Sequence, residues 1–159
     1  MKVLSIDPGY ERLGIAILEK ENGIEKIIFS ETFKTLAKDD FIKRMFLIGK
    51  EIEKIIKKYN PKILSIEKLF FNTNQKTATN VSEVRGSIIY IAMKYGLEVF
   101  EYTPLEIKSA VTGDGRADKK QMVFMVKQLI KIEKEVKYDD EWDAIAVGLT
   151  FFAYNQKIC

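Results

Sequence analysis

Lys2-Val3-Leu4-Ser5-Ile6-Asp7-Pro8-Gly9 constrains this chain more than any other stretch. It is an apolar run of the length of one buried strand, and it ends in a carboxylate followed at once by Pro-Gly, which forbids further ladder pairing. Asp7 therefore stands where a buried strand surfaces, a place from which a sheet can offer a catalytic or metal-binding oxygen. A turn residue accepting backbone hydrogen bonds is the plainer reading of Asp7. What decides between the two is whether other acids close apolar elements in the same way.

The following residues supply a sheet around this strand. Arg12 to Glu19 reads as a second strand, near enough in sequence to return antiparallel, and Asn22-Gly23 is a hairpin signal leading into a third strand from Ile24 to Phe33. From Asp39 to Tyr59 apolar residues recur at spacings of three and four. That is an amphipathic helix covering one face of the sheet, with Asp39 or Asp40 near its N-terminus and Asn60-Pro61 at its end. Lys62 to Glu67 is a short fourth strand, and Glu67 closes it as Asp7 closes the first. Phe70 and Phe71 follow in a polar loop, where two neighbours do not easily point the same way. Helices over Thr77 to Tyr95, Pro104 to Val111, Lys119 to Ile132 and about Tyr138 to Tyr154, with a fifth strand from Leu97 to Tyr102, complete the pattern.

The last helix opens Asp139-Asp140-Glu141-Trp142-Asp143 before turning apolar. First-turn acids suit the helix dipole and cap free N–H groups, which accounts for Asp139 and Asp140 but not for Asp143. Asp140 and Asp143 share a face at a spacing of three; Asp139 and Asp143 do so at four, so helical geometry alone leaves Asp139 open. Thr112-Gly113-Asp114-Gly115-Arg116-Ala117-Asp118 is glycine-rich but lacks the preceding strand and the GKS/T ending of a P-loop. Lys108, Arg116, Lys119, Lys120 and Lys127 gather around it, a cluster that suits a solvated surface as well as phosphate binding.

The chain has no histidine, and its one cysteine is Cys159 at the last position. This excludes a Ser-His-Asp triad, a His-activated cysteine, an imidazole or thiolate metal site and a disulfide framework. Asp7, Glu67, Asp140 and Asp143, if they converge, repel one another unless a cation joins them. Oxygen-only ligands favour magnesium or manganese, whose chemistry is phosphoryl transfer. The length of 159 residues fits one domain, and a net charge of +3 is too mild to argue for nucleic acid by itself. No apolar run reaches bilayer length and the N-terminus reads as a strand rather than a leader, so a cytoplasmic location is expected.

Several motifs occur together in order and spacing: Ile6-Asp7-Pro8-Gly9, Ile66-Glu67-Lys68-Leu69-Phe70-Phe71, Val99 to Pro104 followed by Lys108, the Gly113 to Lys119 loop, and Asp140-x-x-Asp143-Ala144-Ile145-Ala146. Over nearly the whole chain they resemble the bacterial RuvC family of Holliday-junction resolvases. The resemblance implies an α/β, RNase H-like fold, a mixed five-stranded sheet flanked by helices, as a single nuclease domain over residues 1–159. It implies a homodimer that binds a four-way DNA junction and nicks two strands of like polarity symmetrically in recombination and repair. Asp7, Glu67, Asp140 and Asp143 match the family's catalytic, metal-binding carboxylates, for two magnesium ions per site with manganese as a substitute. Lys108 and Lys119 match basic residues near the scissile phosphate, Phe70 matches an aromatic that stacks at the opened junction, and Arg85 and Arg116 join them as DNA contacts. A branch-migration complex, the RuvA platform and RuvB motor, is the implied partner.

Two departures stand out. Ser82-Glu83-Val84-Arg85-Gly86 carries an acid where the family often has Gly-Gln before Ala-Arg-Gly, and Glu141-Trp142 replaces the small residues common between the last two aspartates. The rival within the same fold is a nuclease that trims ribosomal RNA, against which the Gly-Arg-Ala-Asp-Lys and Phe70-Phe71 loops argue. A non-catalytic junction-binding architectural module is the rival from another class, but a binder of a polyanion has no use for four converging negative charges.

Overall fold

Strand β1 (Lys2–Asp7) runs through the middle of a five-stranded sheet whose order is β3-β2-β1-β4-β5. The computed structural model describes residues 1–69 and 75–156. β2 (Arg12–Glu21) returns antiparallel beside β1, and β3 (Ile24–Lys34) pairs antiparallel with β2 at the sheet's edge. The β2–β3 turn uses Asn22 and Gly23, with φ of 51° and 77°, the left-handed pair that matches strand twist in a two-residue hairpin. On the other side β4 (Ile63–Glu67) lies parallel to β1, and β5 (Glu98–Tyr102) parallel to β4. The sheet is thus mixed, as the resemblance implies.

Side-chain alternation divides the core. Leu4 and Ile6 point to one face with Leu13, Ile15, Ile17, Leu64 and Ile66, where α1 (Phe41–Tyr59) and α2 (Gln75–Lys94) cover them through Ile48, Ile52, Val84 and Ile88. Val3 points to the other face with Ala16, Leu18 and Ile63, beneath α3 (Pro104–Thr112), α4 (Lys119–Leu129) and α5 (Asp139–Tyr154). Asp7, an even number of residues from Val3, belongs to this second face.

Small buried residues let α5 come close. Ser5, Ala16 and Ser65 are fully buried beneath it, and the Ser65 hydroxyl donates to the Val147 carbonyl at 2.9 Å. A Cβ on Gly148 would meet a Leu18 methyl at 2.8 Å and Ser5 Oγ at 2.9 Å. Burial from Ala144 to Phe152 explains why this helix is apolar nearly all round.

Element boundaries differ from expectation chiefly at helix ends. Asp40 is the N-cap of α1, its carboxylate accepting from the Lys43 N–H at 2.9 Å, so helical residues begin at Phe41. α4 stops at Leu129 rather than Ile132, because Ile130 leaves the helix in extended backbone while staying buried. Among the described residues no helix is long and apolar enough to cross a membrane.

Candidate active site

Two carboxylates finish adjacent parallel strands. Ile6 is the register partner of Ile66, so the next residue on each strand, Asp7 on β1 and Glu67 on β4, closes the sheet at the same end. Across β2, Asp7 is paired with Gly14, and the backbone of Asp140 lies so near that a Cβ on Gly14 would sit 1.9 Å from its carbonyl oxygen. The first turn of α5 is thereby seated beside Asp7, bringing Asp140 and Asp143 with it.

Helices α3 and α4 deliver the basic residues. A cleft of about 230 Å³ is lined by Glu67, Pro104, Ile107, Lys108, Lys119, Met122 and Asp143. α3 begins with a capping box between Thr103 and Glu106 and ends at Gly113, whose φ of 79° is the left-handed conformation glycine tolerates. Gly115 packs where a Cβ would lie 2.9 Å from Ser109 Oγ, so the glycine-rich segment is a tight helix-to-helix connection. Asp118 then caps α4, accepting from the Gln121 N–H at 2.9 Å, and makes Lys119 the first helical residue. A cation at that position opposes the helix dipole. Its compensation is a short hydrogen bond from its ammonium to Asp143.

The acids raise one another's affinity for protons. Burial pushes the Asp7 carboxyl well above its ordinary range, helped by Glu67, Asp143 and Asp140 and opposed by Lys119. Glu67 is pushed up to about 7, first by burial and then by Asp143, against Lys119 and Lys108. Burial also raises Asp143, although the hydrogen bond from Lys119 works against it. Arg12 Nε lies 3.3 Å from Asp140 Oδ2, close enough for an ion pair yet outside hydrogen-bond alignment, so this buried oxygen has no hydrogen bond among the described residues. Asp139 is exposed and, unlike Asp140, is not among the groups acting on Asp7.

This donor set suits a hard divalent cation. All its ligating atoms are oxygens, their mutual repulsion is relieved only by protons or cations, and Asp140 Oδ2 is buried without a hydrogen bond. Among the described residues no three acids stand close enough together to cage an ion as they lie. Asp143 is instead bonded to Lys119, and Asp140 is paired with Arg12.

Other expected residues fall in different places. Arg116 is exposed on the α3–α4 connection, its backbone N–H donating to Asp114 Oδ1 at 2.8 Å. Arg85, expected at DNA, is turned inward on α2: its Nε donates to the Glu67 carbonyl at 2.9 Å and its NH2 group forms a short ion pair with Glu101. It therefore braces the end of β4 rather than presenting its charge to solvent. Phe70 lies outside the described residues. Sequence reasoning missed Arg12, which β2 carries back toward Asp140, and Gly14, whose lack of a side chain admits α5; the signal for both was their place just after the Pro8-Gly9 turn.

The sequence pattern of the family described as crossover junction endodeoxyribonuclease RuvC matches residues 3–151. The chain belongs to the RuvC family. A crossover junction endodeoxyribonuclease RuvC from Caldanaerobacter subterraneus subsp. tengcongensis is 44% identical over 149 residues, covering 94% of this chain and 90% of the relative. Its counterpart from Halothermothrix orenii is 40% identical over the same shares. Among solved structures, T. thermophilus RuvC in complex with Holliday junction substrate superposes with a TM-score of 0.91 at 25% identity, covering 99% of this chain and 96% of that one. The yeast mitochondrial Holliday junction resolvase Ydc2, at 17% identity and a TM-score of 0.71, shares the fold. The RNase H-like α/β architecture of RuvC proteins is therefore the architecture of this chain.

Proposed function

We propose that this protein is a structure-specific endonuclease that resolves four-way DNA junctions by nicking two strands of like polarity during recombination and repair. The observation that carries the reading is the meeting of Asp7 and Glu67, at the ends of neighbouring parallel strands, with the acids of α5 and with Lys108 and Lys119. Membership of the RuvC family supports the choice of substrate.

Asp7, Glu67, Asp140 and Asp143 are the residues to hold divalent cations. When bound, two magnesium ions, for which manganese substitutes, supply an activated water and stabilisation of the leaving oxygen. Lys108 and Lys119 bind the scissile phosphate and offset the negative charge it gains, Lys119 exchanging Asp143 for the phosphate. Phe70 stacks on a base at the opened centre of the junction and Arg116 contacts the DNA backbone. Paired cuts require paired sites, so the working form is a homodimer of this nuclease domain, served in the cytoplasm by the RuvA platform and RuvB motor.

The test is incubation with a synthetic four-way junction, a matched linear duplex and a structured RNA, each with magnesium and with chelator. Paired, magnesium-dependent nicks confined to the junction are expected. Junction binding without cleavage in any divalent metal, or cleavage of the RNA alone, overturns the reading.

A further inference from the structure

The N-terminal end of α5 carries two of the four acids, yet it has no side-chain cap: the N-cap residue is Tyr138, which makes no capping hydrogen bond. A helix start with free N–H groups and no cap is held in place by something else or frays. Beyond the backbone contact with Gly14, Glu141, between the two aspartates, ties this end of the helix to the rest of the chain. Unlike its neighbours it is 5% exposed, and a charge so buried demands partners.

Both partners come from other parts of the chain. Oε1 of Glu141 accepts from the Ser30 hydroxyl at 2.6 Å and is paired with Lys134 Nζ at 2.5 Å. The Lys134 ammonium also donates to the Ser30 carbonyl, closing a ring of three residues. Ser30 belongs to edge strand β3, Lys134 to the α4–α5 connection, and Glu141 to α5. Ser30 is opposite Ala16 on β2, and two residues further along β3 Thr32 is opposite Gly14, itself the partner of Asp7. The ring is therefore anchored on the face and near the row of the sheet that carries Asp7. Two residues apart on a helix, Glu141 and Asp143 leave it on nearly opposite sides, so a carboxylate fastened to β3 turns the other toward the cleft.

We propose that Glu141 is a positioning residue, locked by Ser30 and Lys134, that fixes the rotation and seating of the first turn of α5 and so the presentation of Asp140 and Asp143 to divalent cations. This rests on the metal-binding reading above. The ring touches neither substrate nor ion; it acts through the two aspartates, in the way residues behind metal ligands orient them.

The experiment compares wild type with Glu141→Ala, Glu141→Gln and Ser30→Ala as full chains. Manganese affinity is measured by calorimetry without DNA, junction affinity in chelator, and single-turnover cleavage at saturating protein across magnesium concentrations. For Glu141→Ala we expect manganese affinity to fall about ten- to a hundredfold, with unchanged junction affinity and a cleavage rate that recovers as magnesium is raised. Glu141→Gln keeps an oxygen acceptor for both partners and should recover most of the loss. Ser30→Ala removes one donor and should shift manganese affinity in the same direction by less, which decides the matter even where Glu141→Ala does not fold. Wild-type manganese affinity in folded Glu141→Ala, or in Ser30→Ala where the former does not fold, makes the ring a stabilising contact only and overturns the proposal. A wild type that binds no manganese overturns the metal reading and this one together.

Discussion

Gly14 and Asp140 touch through backbone: the carbonyl oxygen of Asp140 lies where a Cβ on Gly14 would be, 1.9 Å from its ideal position. Gly14→Ala therefore forces α5 off the sheet at the point where it meets Asp7. Overpacking of this kind costs about 1–3 kcal/mol, so the melting temperature should drop. Cleavage should fall more steeply than stability suggests, because the displaced element carries two of the proposed metal ligands. A folded Gly14→Ala protein cutting junctions at the wild-type rate would show that the seating of α5 is not critical.

Asp7→Asn should abolish cleavage while junction affinity in chelator stays within about threefold, since in the proposed function binding rests on basic and aromatic contacts rather than on the carboxylates. In metal-free buffer near pH 8 the same variant should melt higher than wild type. It replaces a buried carboxylate, crowded by Glu67, Asp143 and Asp140, with a neutral group of similar shape. Thermal denaturation in chelator checks the second half of this prediction; a lower melting temperature would count against charge crowding at Asp7.

The pH dependence of metal-free stability has a definite sign. Glu67 titrates near 4.5 when unfolded and at about 7 when folded, so between those values the folded protein holds a proton that the unfolded chain has released. Stability contributed by protonated Glu67 is fully present below pH 4.5 and is lost as pH rises through 7, with Asp7 acting in the same direction. A shift of this size corresponds to about 3 kcal/mol. Wild type in chelator should become less stable from pH 5 to pH 8, Glu67→Gln should lose much of that slope, and magnesium should restore wild type at pH 8. Equal slopes for wild type and Glu67→Gln would contradict the raised pKa.

Arg85 and Arg116 should separate in a salt titration. Losing a phosphate contact lowers the slope of log affinity against log salt by about one, and Arg116, which is exposed, is the residue proposed to make such a contact. Arg85 is committed to the Glu67 carbonyl and to Glu101, so Arg85→Ala should leave the slope unchanged and slow cleavage instead. A slope reduced by Arg85→Ala would return that residue to the DNA.

Much of this architecture was written in local patterns. The three-and-four spacing of α1 and the acid-terminated apolar runs of β1 and β4 each lie within a short window, and the structure bears out both elements. What a window cannot hold is pairing between distant segments. An arginine on a helix reads as a solvent-facing charge, and the inward turn of Arg85 depends on Glu101, on a strand 16 residues away. Glu141 likewise reads as one more first-turn acid suited to the dipole; its burial is fixed by Ser30, 111 residues earlier. The departure at Glu141-Trp142 was visible in the sequence, but its meaning required the edge of the sheet.

The row of small side chains beneath α5 has a consequence for how such a protein can change. Ser5, Ala16 and Ser65 act together as a shim, setting the height at which the helix rides above the strands. Two acids belong to the helix and two to the strands, so the gap between them is a matter of shim thickness. A single added methyl there would retune the spacing of the carboxylates without altering any group that meets the substrate. Variation in cation preference among proteins of this build should thus be sought underneath the helix as much as in the cleft.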